Sequence, residues 1–254
     1  MKKLFLLLPF FIMVSESMAQ TQIIAHRGFW KTEGSAQNSI AAIEKANSIE
    51  CYGSELDVWL SKDNVLVVNH DPSYKEHSME ESDASTLTSL KLKNGETLPT
   101  LRDYLTTAKS LDTRPILELK SHSTPERETQ AVEKVLELVK ELGLENKIEY
   151  IAFSLHVVKE FIRLAPSGTP VFYLSGNLSP KELKEIGSAG PDYNLSVFRE
   201  KPEWIKESQD LGLKVNVWTV NNEKDMEWLI ENNVDFITTD EPLLLQEILN
   251  RVKK

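Results

Sequence analysis

The sequence predicts an α/β fold, a (β/α)8 barrel with a small insertion after the second barrel strand. Eight short β-rich runs alternate with eight amphipathic helical runs, which is the element order of such a barrel. About 235 of the 254 residues remain once a leader is set aside, and that length suits one barrel. A doubly wound open sheet is the alternative, but no glycine-rich phosphate loop follows the first strand.

Each predicted element follows from its local pattern. The predicted strands cover residues 22–25, 54–60, 115–119, 148–153, 170–174, 193–195, 214–219 and 235–238. The predicted helices cover residues 38–48, 101–109, 126–142, 156–164, 180–186, 202–211, 223–231 and 242–252. Ser179 before Pro180 is typical of a capped helix start, and Gly143, Gly187 and Gly212 follow predicted helix ends.

Residues 1–19 have the pattern of a signal peptide. Lys2 and Lys3 form a charged start, residues 4–14 are apolar, and small residues precede a cleavage point. The apolar run is too short for a stable anchor, and a buried N-terminal helix is the less favoured alternative. We therefore expect an exported protein, periplasmic or secreted, whose residues 20–254 form one domain without stable membrane insertion.

The composition argues against several kinds of partner. The chain carries 39 acidic and 29 basic residues, a formal net charge of −10. Such a protein is a poor candidate for non-specific binding of nucleic acid or of an anionic membrane surface. Cys51 is the only cysteine, so an intrachain disulfide is impossible.

The second predicted strand carries two carboxylates on one face. Glu55, Asp57 and Trp59 alternate with apolar residues, so they share a face of the strand. Two neighbouring carboxylates repel each other, and a divalent cation removes that repulsion. This strand is therefore expected to form part of a metal site.

A hairpin after this strand is expected to return His70 to the carboxylates. A turn centred on Asp63-Asn64 would place His70 opposite Asp57, and a turn centred one residue earlier would place it opposite Glu55. A three-residue loop would instead turn His70 to the other face. Two of these three registers place the histidine beside the carboxylates.

Residues 71–99 interrupt the alternation of strands and helices. They are polar, lie between the second and third barrel strands, and show apolar residues only near 87–92. Because loops after barrel strands lie at the catalytic face, we expect this insertion to shape the substrate pocket.

Two further strand ends carry candidate functional residues. His26 and Arg27 follow the first strand, with Gly28 allowing close backbone approach, and Glu118 and Lys120 end the third. Each pattern alone has an ordinary interpretation, a chance tripeptide or a surface ion pair. In a barrel, however, all these residues converge on one rim with His70.

The combined residue types predict metal-assisted phosphoester chemistry. Oxygen ligands from Glu55, Asp57 and Glu118 suit a hard cation, Ca²⁺ or Mg²⁺. The side chains of Arg27 and Lys120 suit an anionic phosphate group. Histidine is the residue type best suited to exchange protons near neutral pH, so His26 and His70 are candidates for general acid and base catalysis.

Seven motifs along the chain resemble those of the glycerophosphodiester phosphodiesterases. They are HRG at 26–28, ELDV at 55–58, HDP at 70–72, LPTL at 98–101, LELK at 117–120, VWTVN at 217–221 and ITTDEP at 237–242. The resemblance implies a TIM barrel with a divalent metal, Ca²⁺ or Mg²⁺. It also implies a small-molecule glycerophosphodiester as substrate, hydrolysed to glycerol 3-phosphate and an alcohol.

The resemblance also implies a role for each matching residue. The metal ligands would be Glu55, Asp57 and Glu118, and the acid and base would be His26 and His70, in an order left open. The phosphate would be held by Arg27 and Lys120, and Trp218 would form a wall of the substrate pocket.

One motif departs from the family pattern. The family usually has a Pro-Glu-Asn-Thr run after HRG, whereas this chain has Ala36-Gln37-Asn38-Ser39. Gln37 keeps the shape of glutamate without its charge. We expect activity to be retained, because the three principal ligands are present.

Two alternatives to hydrolysis stay open on the sequence. A phospholipase-D-like or cyclising phosphodiesterase would use the same residues on a related lipid-derived substrate. A barrel that binds phosphodiesters without catalysis is the other, and the presence of both histidines and all three carboxylates argues against it.

Overall fold

The computed structural model describes residues 20–252, so the predicted signal peptide at residues 1–19 lies outside the described part. Within it, eight parallel strands form a closed barrel, because β1 pairs with both β2 and β11. This confirms the predicted fold class. In chain order the barrel strands are β1 (Gln22–Ala25), β2 (Gly53–Leu60), β6 (Arg114–Leu119), β7 (Glu149–Ala152), β8 (Val171–Tyr173), β9 (Gly190–Asn194), β10 (Asn216–Trp218) and β11 (Phe236–Thr239).

Helices pack around the outside of the barrel, and side chains cap most of their N-termini. They are α1 (Ile40–Ser48), α3 (Leu101–Ala108), α4 (Pro125–Leu142), α5 (Leu155–Leu164), α6 (Pro180–Glu185), α7 (Leu195–Glu200), α8 (Glu203–Asp210), α9 (Glu223–Glu231) and α10 (Pro242–Val252). At α6, Ser179 forms the predicted cap as a capping box with Glu182. Among residues 20–252, no helix is long and apolar enough to cross a bilayer.

One strand was placed too late in the sequence. The pattern predicted a strand at 193–195, but β9 begins at Gly190 and ends at Asn194. Gly190 is needed there because a Cβ atom would lie 1.9 Å from the carbonyl oxygen of Lys214. Asn194 then caps α7, accepting a hydrogen bond from the Ser196 backbone, so the strand ends one residue earlier than predicted and is followed by a helix that the sequence analysis did not predict.

Alternation along each strand separates the apolar core from the polar interior of the upper barrel. On β2, Leu56, Val58 and Leu60 face the helices in the main core. Inside the barrel, six apolar side chains form a plug: Ile24, Ile116, Ile151, Phe172, Leu174 and Phe236. Above this plug the inward positions carry polar residues, which places the site at the carboxyl ends of the strands.

Of the three registers that the sequence left open, the hairpin has the one with a three-residue loop. Strand β3 (Leu66–Val68) pairs antiparallel with β2, with Val58 opposite Val68 and Leu60 opposite Leu66. The loop has three residues and ends at Asn64, whose φ of 64° is left-handed. The prediction that His70 pairs directly with Asp57 or Glu55 is therefore wrong, because Asn69 donates to the Asp57 carbonyl instead, at 3.0 Å.

Residues of the insertion form a small layer over the top of β2 and β3. It contains β4 (Ser73–Tyr74), β5 (His77–Ser78) and the short helix α2 (Ala84–Leu87). Its apolar side chains, Met79 and Leu87, are buried against Trp59 and Val67 of the hairpin. Trp59 is therefore a packing residue of this layer.

Candidate active site

Three carboxylates meet inside the upper barrel. Glu55 and Asp57 lie on the inner face of β2, and Glu118 lies opposite Asp57 on β6. All three side chains are buried, and one oxygen from each lies within 4.8 Å of the others. The structure thus brings together the three residues proposed as metal ligands.

The negative charges of this carboxylate cluster are not fully balanced by nearby positive charges. Burial and the charges of Asp57 and Glu118 raise the pKa of Glu55 well above its ordinary value. Burial and Asp57 raise the pKa of Glu118 to about 7. Burial also acts on Asp57, but Lys120, His70 and Asn38 outweigh it and lower its pKa. A divalent cation would supply the missing charge.

Glu55 has one oxygen held and one oxygen free. Its Oε2 accepts a hydrogen bond from the Arg27 backbone at 2.7 Å. Its Oε1 is buried and has no hydrogen-bond partner in residues 20–252. A buried carboxylate oxygen without a partner is unfavourable, and metal coordination would satisfy it.

Asn38 positions Asp57 from a tight turn. Its side-chain Nδ2 donates to Asp57 Oδ2 at 2.8 Å, and its Oδ1 accepts from the Asp57 backbone at 3.1 Å. Asn38 is buried and has a φ of 61°, a conformation that asparagine tolerates well. The next residue, Ser39, caps α1.

Gly28 lets the turn after β1 pack against α1. Its φ is 77°, and a Cβ atom there would lie 2.5 Å from the Cβ of Ala42. The absence of a side chain at Gly28 therefore lets the backbone approach α1 closely. The tight packing fixes the position of Arg27 beside the carboxylates.

Two cations border the carboxylate cluster. Lys120 Nζ lies 2.6 Å from Glu118 Oε1 and 3.2 Å from Asp57 Oδ1. Arg27 Nε lies 3.7 Å from Asp57 Oδ2, and its Nη1 donates to Gln37 Oε1 at 3.1 Å. The neutral Gln37 is exposed and contacts the arginine rather than the cluster.

His26 follows β1 and is held by a hydrogen-bond network around Asp240. Its Nδ1 lies 2.8 Å from Asp240 Oδ1, which also accepts from Trp30 Nε1 at 3.0 Å. Asn221 Nδ2 donates to the other oxygen of Asp240 at 2.8 Å. These hydrogen bonds, together with the charge of His26, outweigh burial and keep the pKa of Asp240 low, so it is an anion beside the ring.

His70 reaches the same site from the loop after β3. Its Nδ1 lies 2.7 Å from Asp71 Oδ1, and its carbonyl accepts from Trp59 Nε1 at 3.4 Å. Burial lowers the pKa of His70, an effect that the charge of Asp57 partly offsets. The bend after Val68 thus brings His70 to the site although the strand register does not.

A small cavity joins these groups. Its volume is about 110 Å³, and its walls include His26, Arg27, Glu55, His70, Glu118 and Trp218. Asp57 and Lys120 are not among these walls; Lys120 contacts Glu118 at 2.6 Å, and Asp57 lies in the same carboxylate cluster. Trp218 packs edge-to-face on Phe153, and its Nε1 donates to the Asp192 carbonyl at 2.8 Å.

A second cavity adjoins the first at His70. Its volume is about 340 Å³, and the loop after β1 and the insertion form its walls. Trp30, Tyr74 and Lys93 lie on this surface with His70 and Asp71. The histidine therefore stands between a small inner cavity and a larger outer one.

Several residues of the site were missed by the sequence analysis. Asn38, Asn221 and Asp240 fall within motifs that were recognised, but the residues were given no role of their own. Asp192 lies in β9, one residue before the strand predicted there, and has no motif around it. The only feature of the sequence that could have indicated a role for Asp192 is an acidic residue at an inward-facing strand position.

Comparisons with known proteins identify the family. A sequence model of the glycerophosphoryl diester phosphodiesterase family matches residues 26–244. A glycerophosphodiester phosphodiesterase of Caldanaerobacter subterraneus subsp. tengcongensis is 29% identical, over 92% of this chain and 99% of its own length.

Solved structures agree with this match. A glycerophosphodiester phosphodiesterase of Parabacteroides distasonis is 49% identical, with a TM-score of 0.91 over 93% of this chain and 99% of that one. A phosphodiesterase of Oleispira antarctica, solved with its product sn-glycerol-3-phosphate, shares the fold at 21% identity, with a TM-score of 0.78 over 91% and 97% of the two chains. The chain belongs to the glycerophosphoryl diester phosphodiesterase family, whose members hydrolyse glycerophosphodiesters.

Proposed function

We propose that this chain hydrolyses glycerophosphodiesters to glycerol 3-phosphate and an alcohol with a divalent cation and two histidines. One observation carries the proposal. A single small cavity is bordered by a buried carboxylate cluster with a free oxygen and by two histidines, each with a carboxylate on Nδ1.

The donor set fits a hard cation. Glu55, Asp57 and Glu118 offer only oxygen atoms, and their spacing allows all three to contact one ion. When bound, the cation would stabilise negative charge that develops on the phosphoryl oxygens. Both Ca²⁺ and Mg²⁺ are accepted by such ligands, so the proposal covers either ion.

In this proposal the histidines exchange protons with the substrate. A carboxylate at Nδ1 favours a proton on that nitrogen, which leaves Nε2 to take or give a proton. His26 and His70 would divide two tasks: one removes a proton from the attacking water, and the other gives a proton to the departing alcohol.

In this proposal Arg27 and Lys120 bind the phosphate. Arg27 lines the cavity, whereas Lys120 is not one of its walls and contacts Glu118 of the carboxylate cluster at 2.6 Å. Both are ion-paired to carboxylates, so each side chain is held in position before the substrate arrives. Trp218 supplies an apolar wall for the carbon atoms of the substrate.

The proposed product agrees with the O. antarctica structure, which contains sn-glycerol-3-phosphate in a protein of the same fold. The inner cavity is smaller than the roughly 300–1,000 Å³ pockets that take drug-sized ligands. A group of glycerol size suits it, and the larger outer cavity beside His70 would take the alcohol.

Calorimetric titration of Ca²⁺ and of Mg²⁺ into metal-free protein tests the metal part directly. We expect one site in the wild type and strongly weakened binding in Glu55→Gln and Asp57→Asn, each with little activity left. Glu149→Gln is the matched control, because Glu149 is a buried barrel carboxylate bonded to Tyr52 and outside the cavity. Equal cation binding by all four proteins would refute the proposed ligands.

A further inference from the structure

A carboxyl group in the inner cavity has no role in the reaction described so far. Asp192 lies on β9 with 1% of its surface exposed, and it lines the cavity opposite the carboxylate cluster's strands. Its Oδ1 atom is buried and has no hydrogen-bond partner in residues 20–252. No cation of the described chain pairs with it.

This arrangement of Asp192 is unfavourable. A buried polar group without a hydrogen-bond partner destabilises the protein, and a buried charge does so more strongly. Burial raises the pKa of Asp192 to about 8, although a hydrogen bond with Asn216 offsets part of the effect. Burial thus favours the protonated form of the carboxyl group, which is able both to accept and to donate a hydrogen bond.

The surroundings of Asp192 distinguish it from the metal site. Its neighbour in register on β10 is Asn216, whose side chain bonds Thr238 Oγ1 at 2.9 Å. Above it, Trp218 and Phe153 pack edge-to-face as apolar walls of the cavity. A group in this part of the cavity would meet aromatic rings on its carbon atoms and one free carboxyl oxygen.

We propose that Asp192 hydrogen-bonds a free hydroxyl of the glycerol moiety and thereby selects glycerol-containing phosphodiesters. The inference rests on the proposed function, because the phosphate must lie at Arg27 and Lys120. The short carbon chain then extends along Trp218, and a hydroxyl meets Asp192 Oδ1. A hydroxyl both donates and accepts, which matches the neutral carboxyl group.

A site that hydrogen-bonds a hydroxyl discriminates strongly against analogues that lack it. Such an analogue leaves the buried polar group without a hydrogen bond, so it binds more weakly. Propyl phosphate has the carbon chain and phosphate of glycerol 3-phosphate without its two hydroxyls. The ratio of the two dissociation constants therefore isolates hydroxyl recognition, while phosphate and metal contributions cancel.

The test measures this ratio by calorimetry with saturating cation in the wild type, Asp192→Leu and Asp192→Asn. Leucine has a similar shape and no hydrogen-bonding group, whereas asparagine keeps an amide. We expect the wild-type preference for glycerol 3-phosphate to fall about 10- to 100-fold in Asp192→Leu, with propyl phosphate binding unchanged. Asp192→Asn should keep more of the preference than Asp192→Leu.

Glu149→Gln serves as the matched control and should keep the full wild-type ratio. An unchanged ratio in Asp192→Leu, or an equal loss for both ligands, would overturn the inference. If Asp192→Leu does not fold, Asp192→Ala is measured in the same way. A wild-type protein that hydrolyses glycerophosphodiesters while the variants keep the ratio would refute only the role of Asp192. A wild-type protein that binds neither ligand would refute the proposed function itself.

Discussion

His26 Nδ1 and Asp240 Oδ1 lie 2.8 Å apart, although 214 positions separate the two residues in the chain. Closure of the barrel creates this contact, because β1 pairs with β11 and Ala25 lies beside Thr239. Trp30 and Asn221 fix the carboxylate from two further sides. The proposed catalytic histidine is thus oriented by the joining of the first and last strands.

This contact predicts that Asp240→Asn lowers kcat by about 10²–10⁴-fold, because His26 loses both its orientation and the carboxylate that favours the Nδ1 proton. Cation affinity should be retained, since Asp240 is not among the clustered carboxylates. Steady-state kinetics and calorimetry on the same preparation measure both quantities.

Asp71→Asn is the matched comparison on the other histidine. Its side chain is 73% exposed, against 14% for Asp240. Exposed pairs contribute about 0–1 kcal/mol, so kcat should fall by less than about fivefold. A larger loss in Asp71→Asn than in Asp240→Asn would contradict the account of how the histidines are positioned.

The two histidines should respond differently to the leaving group. His26→Ala and His70→Ala should each lose about 10²–10⁴-fold in turnover on glycerophosphodiesters while still binding the cation. A p-nitrophenyl ester needs no proton on its leaving group. It should therefore restore turnover in the variant that lost the acid and not in the variant that lost the base.

The rescue experiment also assigns the roles that the geometry leaves open. His70 borders the outer cavity as well as the inner one, whereas His26 borders the inner cavity. Near wild-type turnover in either alanine variant, or equal rescue of both, would mean that the two histidines do not act as an acid and base pair.

Asp192 should make stability depend on pH. The unfolded chain releases this proton near its usual pKa of 3.8, whereas the folded protein keeps it until about pH 8. Between these values the folded state binds more protons, so this group lowers the free energy of unfolding as pH rises. Above about pH 8 the loss is complete.

Asp192→Asn removes this titration. The stability of the variant relative to the wild type should therefore increase as pH rises from about 5 to about 8, and then level off. Urea unfolding across this range, at fixed cation concentration, measures the difference. A stability difference that is independent of pH would contradict the buried, unpaired state of Asp192.

We predict that the insertion influences which alcohol is released. Tyr74 and Lys93 line the outer cavity beside His70. Tyr74→Ala should change the relative kcat/KM for glycerophosphocholine, glycerophosphoethanolamine and glycerophosphoglycerol by about tenfold or less, as one contact in a binding pocket allows. The affinity for glycerol 3-phosphate should stay constant, because the glycerol group lies in the inner cavity.

A point substitution is preferable to trimming the insertion. Met79 and Leu87 are buried against Trp59 and Val67, so deletion would expose an apolar cluster. Glu81→Ala, an exposed change in the same segment and outside the cavity walls, is the control. Equal relative rates in Tyr74→Ala, Glu81→Ala and the wild type would show that the insertion does not select the alcohol.

Much of the fold and of the carboxylate cluster was predictable because both follow from local periodicity. Alternation placed Glu55 and Asp57 on one face of β2, and barrel geometry brought Glu118 beside them. The hairpin register was not predictable in this way. It depends on a left-handed residue, Asn64, which lengthens the loop to three residues and reverses the face of every later position.

Contacts between segments that are distant in the sequence were also not predictable from local patterns. Asp240 meets His26 only when the barrel closes, and Asn38 contacts Asp57 from the turn before α1, 19 residues earlier in the chain. Asp192 is the only charged residue of the short strand β9, and the lack of a partner for its Oδ1 is a property of the folded interior.

Phosphorus NMR of the reaction tests the central claim most directly. Wild-type protein and Glu55→Gln are each incubated with a glycerophosphodiester and with Ca²⁺, with Mg²⁺ or with excess chelator. We predict that the wild type forms glycerol 3-phosphate as its phosphorus-containing product only when a cation is present, and that Glu55→Gln forms little under any condition. Full turnover in excess chelator, or release of a cyclic phosphate as the final product, would contradict metal-dependent hydrolysis at this site.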